Sequence, residues 1–236
     1  MLHINRHRQI LFDIIRDVYQ SHIGGYVGFK GGTMLYFFHE LDRFSVDLDF
    51  DLFDISKKDQ VYAELKEILR KYGKIKDEAD KMHTIYFLLS YGEGEHGVKV
   101  EISKRLPEKK NEYEIRNFYG TDVATVKLDD AFANKLVAAT ERTRTANRDF
   151  YDIYFLFKKG IIPNEEIILA RTGKDMSEYL SILRSFIEKN ITETSVLEGI
   201  GDLVDNSRKD WLKKNLKKEL LAQLDFSIIE SKRGIR

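Results

Sequence analysis

Strict alternation of apolar and acidic residues over 46–53, VDLDFDLF, constrains the fold of this chain more than any other feature. Successive side chains of a β-strand point to opposite faces, so this stretch predicts a strand with one apolar and one acidic face. We call Asp47, Asp49 and Asp51 the acidic row; the opposite face carries Val46, Leu48, Phe50 and Leu52. Aspartate is a poor strand former, so an alternating row of aspartates is an unusual way to build a solvated face.

The chemistry open to the acidic row depends on the spacing of its carboxylates. Asp47 and Asp49 lie roughly 7 Å apart along the backbone on one face, close enough for their charges to repel. A divalent cation relieves that repulsion, and Mg²⁺ prefers oxygen ligands together with phosphates and water. Two such ions can clamp the attacking and leaving oxygens of a phosphoryl transfer. The alternative is an antiparallel strand with a solvated face, and Asp51 is the residue expected to face solvent or carry an ion pair.

A glycine turn precedes the acidic row. Gly31 and Gly32 separate a predicted strand at Tyr26–Phe29 from a predicted helix at 33–41. Glycines at such a turn let a phosphate approach the backbone amides at a helix N-terminus. Lys30 adds a positive charge at this point, with a solvated lysine at a strand end as the alternative.

The N-terminal half of the chain mixes helical and strand patterns. Apolar residues recur at helical spacing over 5–20 and 57–72. Two strands, His83–Tyr91 and Val98–Ser103, are joined by GEGEHG, which predicts a hairpin. We therefore expect an α/β domain over residues 1–115.

From Leu128 onward the pattern is almost wholly helical. Asp129 or Asp130 is expected to cap the first helix of this part, and Gly160 to end the second. The predicted helices cover residues 128–142, 150–160, 163–171, 176–190, 193–204 and 207–224. We therefore expect a helical domain over residues 116–236.

Composition excludes several function classes. The chain of 236 residues contains no cysteine, which excludes disulfides, thiolate metal sites and cysteine nucleophiles. Lys and Arg number 39, as do Asp and Glu, so any nucleic-acid-binding surface must be local. Residues 206–236 carry nine Lys and Arg against four acids and could contact RNA phosphates, although a solvated helix face is the commoner explanation. Because no apolar run could span a bilayer and the N-terminus lacks the features of a signal peptide, we expect a cytoplasmic protein without a membrane partner.

The order apolar-Gly-Gly, then Asp-x-Asp on a strand, resembles the DNA polymerase β-like nucleotidyltransferase superfamily. The resemblance implies an α/β (α+β) fold with a small mixed sheet and a C-terminal helical domain. It also implies a third carboxylate on a later strand, for which Glu101 in VKVEIS is the candidate, with an exposed strand glutamate as the alternative. The implied metal ligands are Asp47, Asp49 and Glu101, and the implied cofactor is Mg²⁺ or Mn²⁺.

A narrower resemblance is to the AbiEii/AbiGii toxin family of nucleotidyltransferases. The first motif of that family is Gly-Gly-Thr-x-Leu and then Arg-x-Ser-x-Asp-hydrophobic-Asp-hydrophobic, which KGGTMLYFFHELDRFSVDLDF matches. The second motif is a helical lysine and then Arg-Asp-x-Tyr-Asp, which Lys135 and the RDFYD of residues 148–152 match. The resemblance covers roughly residues 26–157.

The second motif carries predicted catalytic roles. By resemblance, Lys135 neutralises triphosphate charge, and Asp149 or Asp152 orients the triphosphate or a metal-bound water. The residues by themselves leave open an ordinary salt-bridge cluster between helices, including an Arg148–Asp152 pair one turn apart. The sequence does not decide which of the two aspartates is functional.

The predicted nucleotide contacts flank the acidic row. Arg43 is placed to grip a phosphate with two hydrogen bonds, unless it pairs with Asp47 or Asp51. Ser45 shares the face of Asp47 if the strand extends that far, unless it is a turn residue. The predicted nucleotide-binding residues are Lys30, Gly31, Gly32, Thr33, Arg43, Ser45 and Arg148.

The resemblance implies a nucleotidyltransferase that moves an NMP from an NTP to an acceptor hydroxyl of RNA or tRNA. It would act as the toxin of a toxin–antitoxin system, with a cognate antitoxin protein as partner, and its helical domain would contribute lysine and aspartate to the active site. Two alternatives remain at this point. The acceptor hydroxyl could belong to a protein, or the chain could be a catalytically weak protein that uses its nucleotide pocket to recognise a partner.

Overall fold

The computed structural model describes residues 2–142 and 146–233. The chain divides into two compact units. The first comprises Met1–Glu40, Phe44–Leu106 and Glu112–Val126; the second comprises Leu41–Arg43, Pro107–Asn111 and Lys127–Arg236. Arg236, the last basic residue of the predicted RNA-contacting stretch, lies outside the described residues.

The first unit is built on a mixed β-sheet. Its strands are β1 (Val27–Lys30), β2 (Leu48–Leu52), β3 (Lys74–Asp80), β4 (Thr84–Ser90), β5 (Val98–Ser103), β6 (Tyr113–Phe118) and β7 (Thr121–Val126). Within the described residues these seven strands form one sheet in the order β3-β4-β5-β2-β1-β7-β6. Strand β2 pairs antiparallel with β1 and parallel with β5, so the acidic row lies near the middle of the sheet. The helices of this unit are α1 (Ile4–Gln20), α2 (Gly31–His39) and α3 (Lys58–Arg70).

The alternation of the acidic row is confirmed by the burial of β2. Leu48, Phe50 and Leu52 are buried, while Asp49 and Asp51 on the opposite face are partly exposed. Burying each large apolar side chain contributes about 1.5–3 kcal/mol, enough to set which face of β2 points to the core. The strand begins at Leu48, so Asp47 lies in the segment that leads into β2 rather than within the predicted strand.

The remaining strands extend the first unit beyond its predicted limit. The predicted hairpin is confirmed as the antiparallel pair β4–β5. A second hairpin, β6–β7, joins the sheet because Thr125 on β7 pairs in parallel with Phe29 on β1. The first unit therefore continues to Val126, past the domain boundary predicted at residue 115.

The second unit is helical. Its helices are α4 (Leu128–Glu141), α5 (Asn147–Lys158), α6 (Glu165–Thr172), α7 (Met176–Asn190), α8 (Asn206–Trp211) and α9 (Lys217–Lys232), with π-helical residues Leu212–Leu216 between the last two. The predicted cap of α4 is wrong, because Lys127 is the N-cap residue. Asp129 and Asp130 lie in the first turn, where their negative charges interact favourably with the positive end of the helix dipole.

The helix predicted over 193–204 is also wrong. Residues 193–200 form turns, and only Gly201–Leu203 form a short 3₁₀ helix. The side-chain amide of Asn147 donates to the carbonyls of Ser195 at 2.6 Å and Glu198 at 3.3 Å, so it binds acceptors that a regular helix would use itself. Gly199, with φ of +72°, adopts a left-handed conformation that breaks helical geometry. Within residues 2–142 and 146–233, no helix is long and apolar enough to cross a membrane.

Candidate active site

The register of two central strands brings the predicted metal ligands together. Asp49 on β2 is the Cα partner of Glu101 on the parallel strand β5. Paired strands lie about 4.8 Å apart and their partner residues point to the same face, so the two carboxylates are neighbours. Asp47 precedes the strand on the same alternation, with its side chain 18% exposed. The structure thus places Asp47, Asp49 and Glu101 on one face, and their role as metal ligands stays a prediction.

A lysine that sequence reasoning did not single out lies among these acids. Lys99 Nζ is 3.6 Å from Asp47 Oδ2 and 3.2 Å from Glu101 Oε2. Burial by itself lowers the pKa of Lys99, but the charges of Asp47, Glu101 and Asp49 outweigh burial and raise it above its ordinary value. Lys99 is therefore a permanent cation within the acidic site. Its position two residues before Glu101, on the same strand face, was the only sequence signal.

The residues present fit a hard divalent cation by their chemistry. All three predicted ligands are carboxylates, the donors that Mg²⁺ and Mn²⁺ prefer, and an ammonium group already lies where positive charge is needed. In the part of the chain that the structure describes, no three His, Asp or Glu side chains converge as a ready metal site.

The glycine turn lies directly against the acidic row. Helix α2 begins at Gly31, two residues before the predicted start at residue 33, and Gly31 has φ of +83°. A Cβ at Gly31 would lie 2.4 Å from Asp49 Oδ2, so only glycine leaves room for this carboxylate. Lys30 is the N-cap residue of α2, and a lysine side chain has no acceptor with which to bind the first helical amides. Amides at a helix start suit a phosphate group, and the contact of Gly31 and Gly32 with a phosphate stays a prediction.

We expect Gly31→Ala to reduce nucleotidyl transfer by about a hundredfold, because it displaces the Asp49 carboxylate by close to an ångström. It should also lower the free energy of unfolding by about 1–3 kcal/mol, since alanine is strained at positive φ. Gly94→Ala is the matched control, because Gly94 has φ of +72° and a Cβ there meets nothing within 4 Å. Transfer rates and urea unfolding of both variants test this, and equal activity of the two would contradict it.

Two predicted nucleotide contacts instead hold the segment before β2. The Thr33 hydroxyl donates to the carbonyl of Asp47 and lies 2.9 Å from the Ser45 hydroxyl. Both Thr33 and Ser45 are buried. In this structure the two hydroxyls thus position Asp47 from within the protein, and their contact with a nucleotide stays a prediction.

A buried histidine supports the same segment. His7 on α1 is fully buried, and burial lowers its pKa, so its ring is neutral at neutral pH. Its Nε2 donates to the carbonyl of Val46 at 2.9 Å, and its Nδ1 accepts from the Tyr91 hydroxyl at 2.7 Å. The residue before Asp47 is therefore tied to α1, which sequence reasoning did not foresee.

The last member of the acidic row has partners of its own. Asp51 Oδ1 lies 2.5 Å from Lys30 Nζ, and its Oδ2 accepts from the Tyr113 hydroxyl at 2.5 Å. The expectation that Asp51 carries an ion pair is therefore confirmed. The pair also occupies Lys30, whose predicted contact with a phosphate stays a prediction.

The second sequence motif forms a buried charge cluster in the second unit, made of Arg43, Lys135, Asp149 and Asp152. Arg43 donates from Nε and from a terminal nitrogen to the two oxygens of Asp152, both at 2.7 Å. Lys135 Nζ lies 2.9 Å from Asp152 and 3.1 Å from Asp149. Arg43 thus pairs with Asp152, whereas the sequence suggested Asp47 or Asp51 as alternative partners. The salt-bridge alternative for these residues is the arrangement that the structure shows.

The cluster remains ionised although it is buried. Burial raises the pKa of Asp152, but Arg43 and Lys135 outweigh burial and hold that pKa below its usual range. Burial lowers the pKa of Lys135, but Asp152 and Asp149 raise it above its usual value. Arg142 Nε lies 2.8 Å from Asp149 Oδ2. The two groups attract each other by charge, but their geometry is not that of a hydrogen bond.

The cluster ties a short segment to helix α5. Leu41–Arg43 belongs to the second unit, and besides the Arg43–Asp152 pair the Tyr151 hydroxyl donates to Asp42 at 2.6 Å. With both oxygens bound and no exposed surface, Asp152 is better suited to holding this segment than to contacting a substrate. Lys135, Asp149 and Arg148, which lies in the first turn of α5, keep their predicted catalytic or nucleotide-binding roles as predictions.

Comparison with protein families decides the identity of the fold. The model of the nucleotidyl transferase AbiEii toxin family, from type IV toxin–antitoxin systems, matches residues 13–224. The chain belongs to the AbiEii family. It is therefore a nucleotidyltransferase, and the family to which it belongs is one of nucleotidyl-transfer toxins. A search of curated proteins gave no significant match.

Solved structures agree with the AbiEii fold. A candidate nucleotidyltransferase from H. pylori is 20% identical with a TM-score of 0.62, the match covering 98% of this chain and 96% of that one. JHP933 from Helicobacter pylori is 22% identical with a TM-score of 0.61, covering 98% and 94%. An antigenic nucleotidyltransferase-like protein from Paracoccidioides brasiliensis is 12% identical with a TM-score of 0.50, covering 84% and 95%. At these identities the likeness concerns the fold, and it confirms the predicted α/β fold class.

Proposed function

We propose that this AbiEii-family enzyme transfers an NMP from an NTP to a hydroxyl group of an RNA, with tRNA as the expected acceptor class. Mg²⁺ or Mn²⁺ would be held by Asp47, Asp49 and Glu101, and a cognate antitoxin protein would restrain the activity in the cell. The observation that carries the proposal is the strand register that sets Glu101 beside Asp49. Asp47, in the segment that leads into β2, adds a third carboxylate within reach of the same lysine as Glu101, and hard divalent cations favour such oxygen donors.

The protein's part in the reaction is to position the substrate phosphates and to neutralise their charge. The amides at the start of α2 receive phosphate oxygens. Gly31 lets the Asp49 carboxylate lie against this helix start because no Cβ intervenes. Thr33 and His7 hold the backbone of residues 46–47, so the first carboxylate is positioned before substrate arrives. A divalent cation held by Asp47, Asp49 and Glu101 would supply positive charge against the phosphates. The acceptor oxygen forms a bond to the α-phosphorus, the bond from that phosphorus to pyrophosphate breaks, and the hydroxyl proton passes to solvent.

Support for an RNA acceptor comes from the C-terminal helices. Lys213, Lys214 and Lys218 are exposed in the segment that connects α8 to α9 and at the start of α9. Lysines of this kind bind a nucleic-acid backbone by releasing counterions, so their contribution falls as salt rises. We place the reaction in the cytoplasm, where NTPs and RNA are both present.

Purified enzyme should label RNA when incubated with total RNA, Mg²⁺ and each of the four NTPs carrying ³²P at the α-phosphate. We expect one NTP to dominate, EDTA to abolish labelling, and excess Mg²⁺ to restore it. A parallel reaction with RNA-free lysate protein tests protein as the acceptor. Labelling of protein but not of RNA would show that the acceptor is a protein. Labelling that survives EDTA would contradict metal dependence.

A further inference from the structure

We propose that Lys99 is a positioning residue that competes with a divalent cation for Asp47 and Glu101 and so weakens cation binding by the free enzyme. The proposal rests on the proposed function, because it assumes that these carboxylates bind the cation. Neither motif of the family contains Lys99. Its replacement by a neutral residue should strengthen cation binding, whereas loss of a purely structural residue would weaken it.

Strand register dictates the location of Lys99. On β5, Val98 and Val100 are fully buried, so the intervening Lys99 must point to the opposite face together with Glu101. Leu48 pairs with Val100 in the parallel ladder, and Asp47 and Lys99 are the residues that precede this pair. The lysine is thus beside Asp47 for the same reason that Glu101 is beside Asp49.

The contacts of Lys99 use the atoms that a metal would need. Its ammonium lies 3.6 Å from Asp47 Oδ2 and 3.2 Å from Glu101 Oε2, while the lysine side chain is 31% exposed. An ammonium group at these distances relieves the repulsion between carboxylates that would otherwise favour a divalent cation. A cation that takes both carboxylates must displace Lys99 and overcome its positive charge. Partial exposure gives the flexible lysine room to move away when this happens.

The arrangement has a consequence for the order of binding. While Lys99 holds the carboxylates, the free enzyme binds a divalent cation weakly. An NTP brings phosphate charge that attracts both the cation and the displaced ammonium, so the cation is bound tightly only together with nucleotide. Lys99 thereby links formation of the metal site to the arrival of substrate.

The experiment measures Mn²⁺ affinity of the metal-free full-length protein, without nucleotide, by the EPR signal of free Mn²⁺. The variants are Lys99→Met, which removes the charge and keeps the length, Lys99→Arg, which keeps the charge, and Asp47→Asn. Lys76→Met, at an exposed position on the edge strand β3, removes one lysine charge from the same sheet as a matched control. Circular dichroism and thermal midpoints verify that each variant is folded.

We expect Lys99→Met to bind Mn²⁺ about tenfold more tightly than wild type, with Lys99→Arg and Lys76→Met close to wild type and Asp47→Asn at least tenfold weaker. Equal or weaker binding by Lys99→Met, with binding still lost in Asp47→Asn, overturns the role of Lys99 and leaves the metal site intact. Binding that is unaffected by Asp47→Asn, or absent from all five proteins, overturns the metal site itself and the Lys99 proposal with it.

Discussion

Asp49→Asn should lower the rate of nucleotidyl transfer by about a thousandfold, because it removes a charged ligand of the divalent cation that neutralises the reacting phosphates. Asparagine keeps the shape of the side chain, and the buried neighbours Leu48 and Phe50 keep β2 in place. The substitution therefore removes charge with little effect on the fold. Initial rates at saturating NTP and Mg²⁺ measure the loss directly.

Asp51→Asn is the matched control for that prediction, because it makes the same change two residues along the same strand face. Asp51 is paired with Lys30 and Tyr113, whereas Asp49 lies against Gly31 and beside Glu101. We expect Asp51→Asn to retain transfer within about threefold and to cost at most about 1 kcal/mol of stability, as for partly exposed ion pairs. Similar losses in both variants would show that the acidic row acts as a unit, and an active Asp49→Asn would exclude Asp49 as a metal ligand.

Asp152→Asn should lower the free energy of unfolding by about 3–5 kcal/mol, because it leaves Arg43 and Lys135 in the protein interior without the carboxylate that balances them. The carboxylate of Asp152 has no exposed surface, so water cannot replace it. Urea unfolding followed by circular dichroism measures the change. The size of this loss reflects an uncompensated buried charge rather than the net stabilisation that the intact cluster provides.

Asp225→Asn in the same unit is the control for the buried cluster. Asp225 also binds an arginine, Arg184, with Nε at 2.5 Å, but its side chain is 51% exposed and that of Arg184 is 32% exposed. Solvent screens such a pair, so the expected loss is at most about 1 kcal/mol. If Asp152→Asn unfolded like Asp225→Asn and yet abolished transfer, Asp152 would be catalytic and its structural role would be wrong.

Features that depend on neighbouring residues were predicted well from the sequence. The burial of Leu48 and Phe50, the start of α2 at the glycine turn and the extent of α7 follow from periodicity and turn chemistry. The prediction of a helix over 193–204 failed because the carbonyls of Ser195 and Glu198 accept from Asn147, which is distant in sequence. Strands β3, β6 and β7 were not predicted. Of these, β3 and β6 are edge strands, whose exposed residues leave no clear apolar alternation.

In the candidate site, too, features set by residue type and spacing were predicted, whereas contacts between distant residues were not. The motifs pointed to the family and to Asp47 and Asp49 as candidate ligands, since residue type and spacing are properties of the chain itself. Glu101 was a candidate from its place on a later strand, and the role of all three stays a prediction. Arg43 and Asp152 are separated by 109 positions, so the pair could not be inferred from either motif.

The sequence by itself determined which residues alternate, where most helices run and to which nucleotidyltransferase family the chain belongs, because these depend on local periodicity and residue order. The tertiary structure decided the partner of each charge. It paired Lys99 with Asp47 and Glu101, Lys30 with Asp51, and Arg43 with Asp152. Ion pairs depend on which strands and helices become neighbours, and that is settled only when long-range strand register and helix packing bring distant residues within a few ångströms.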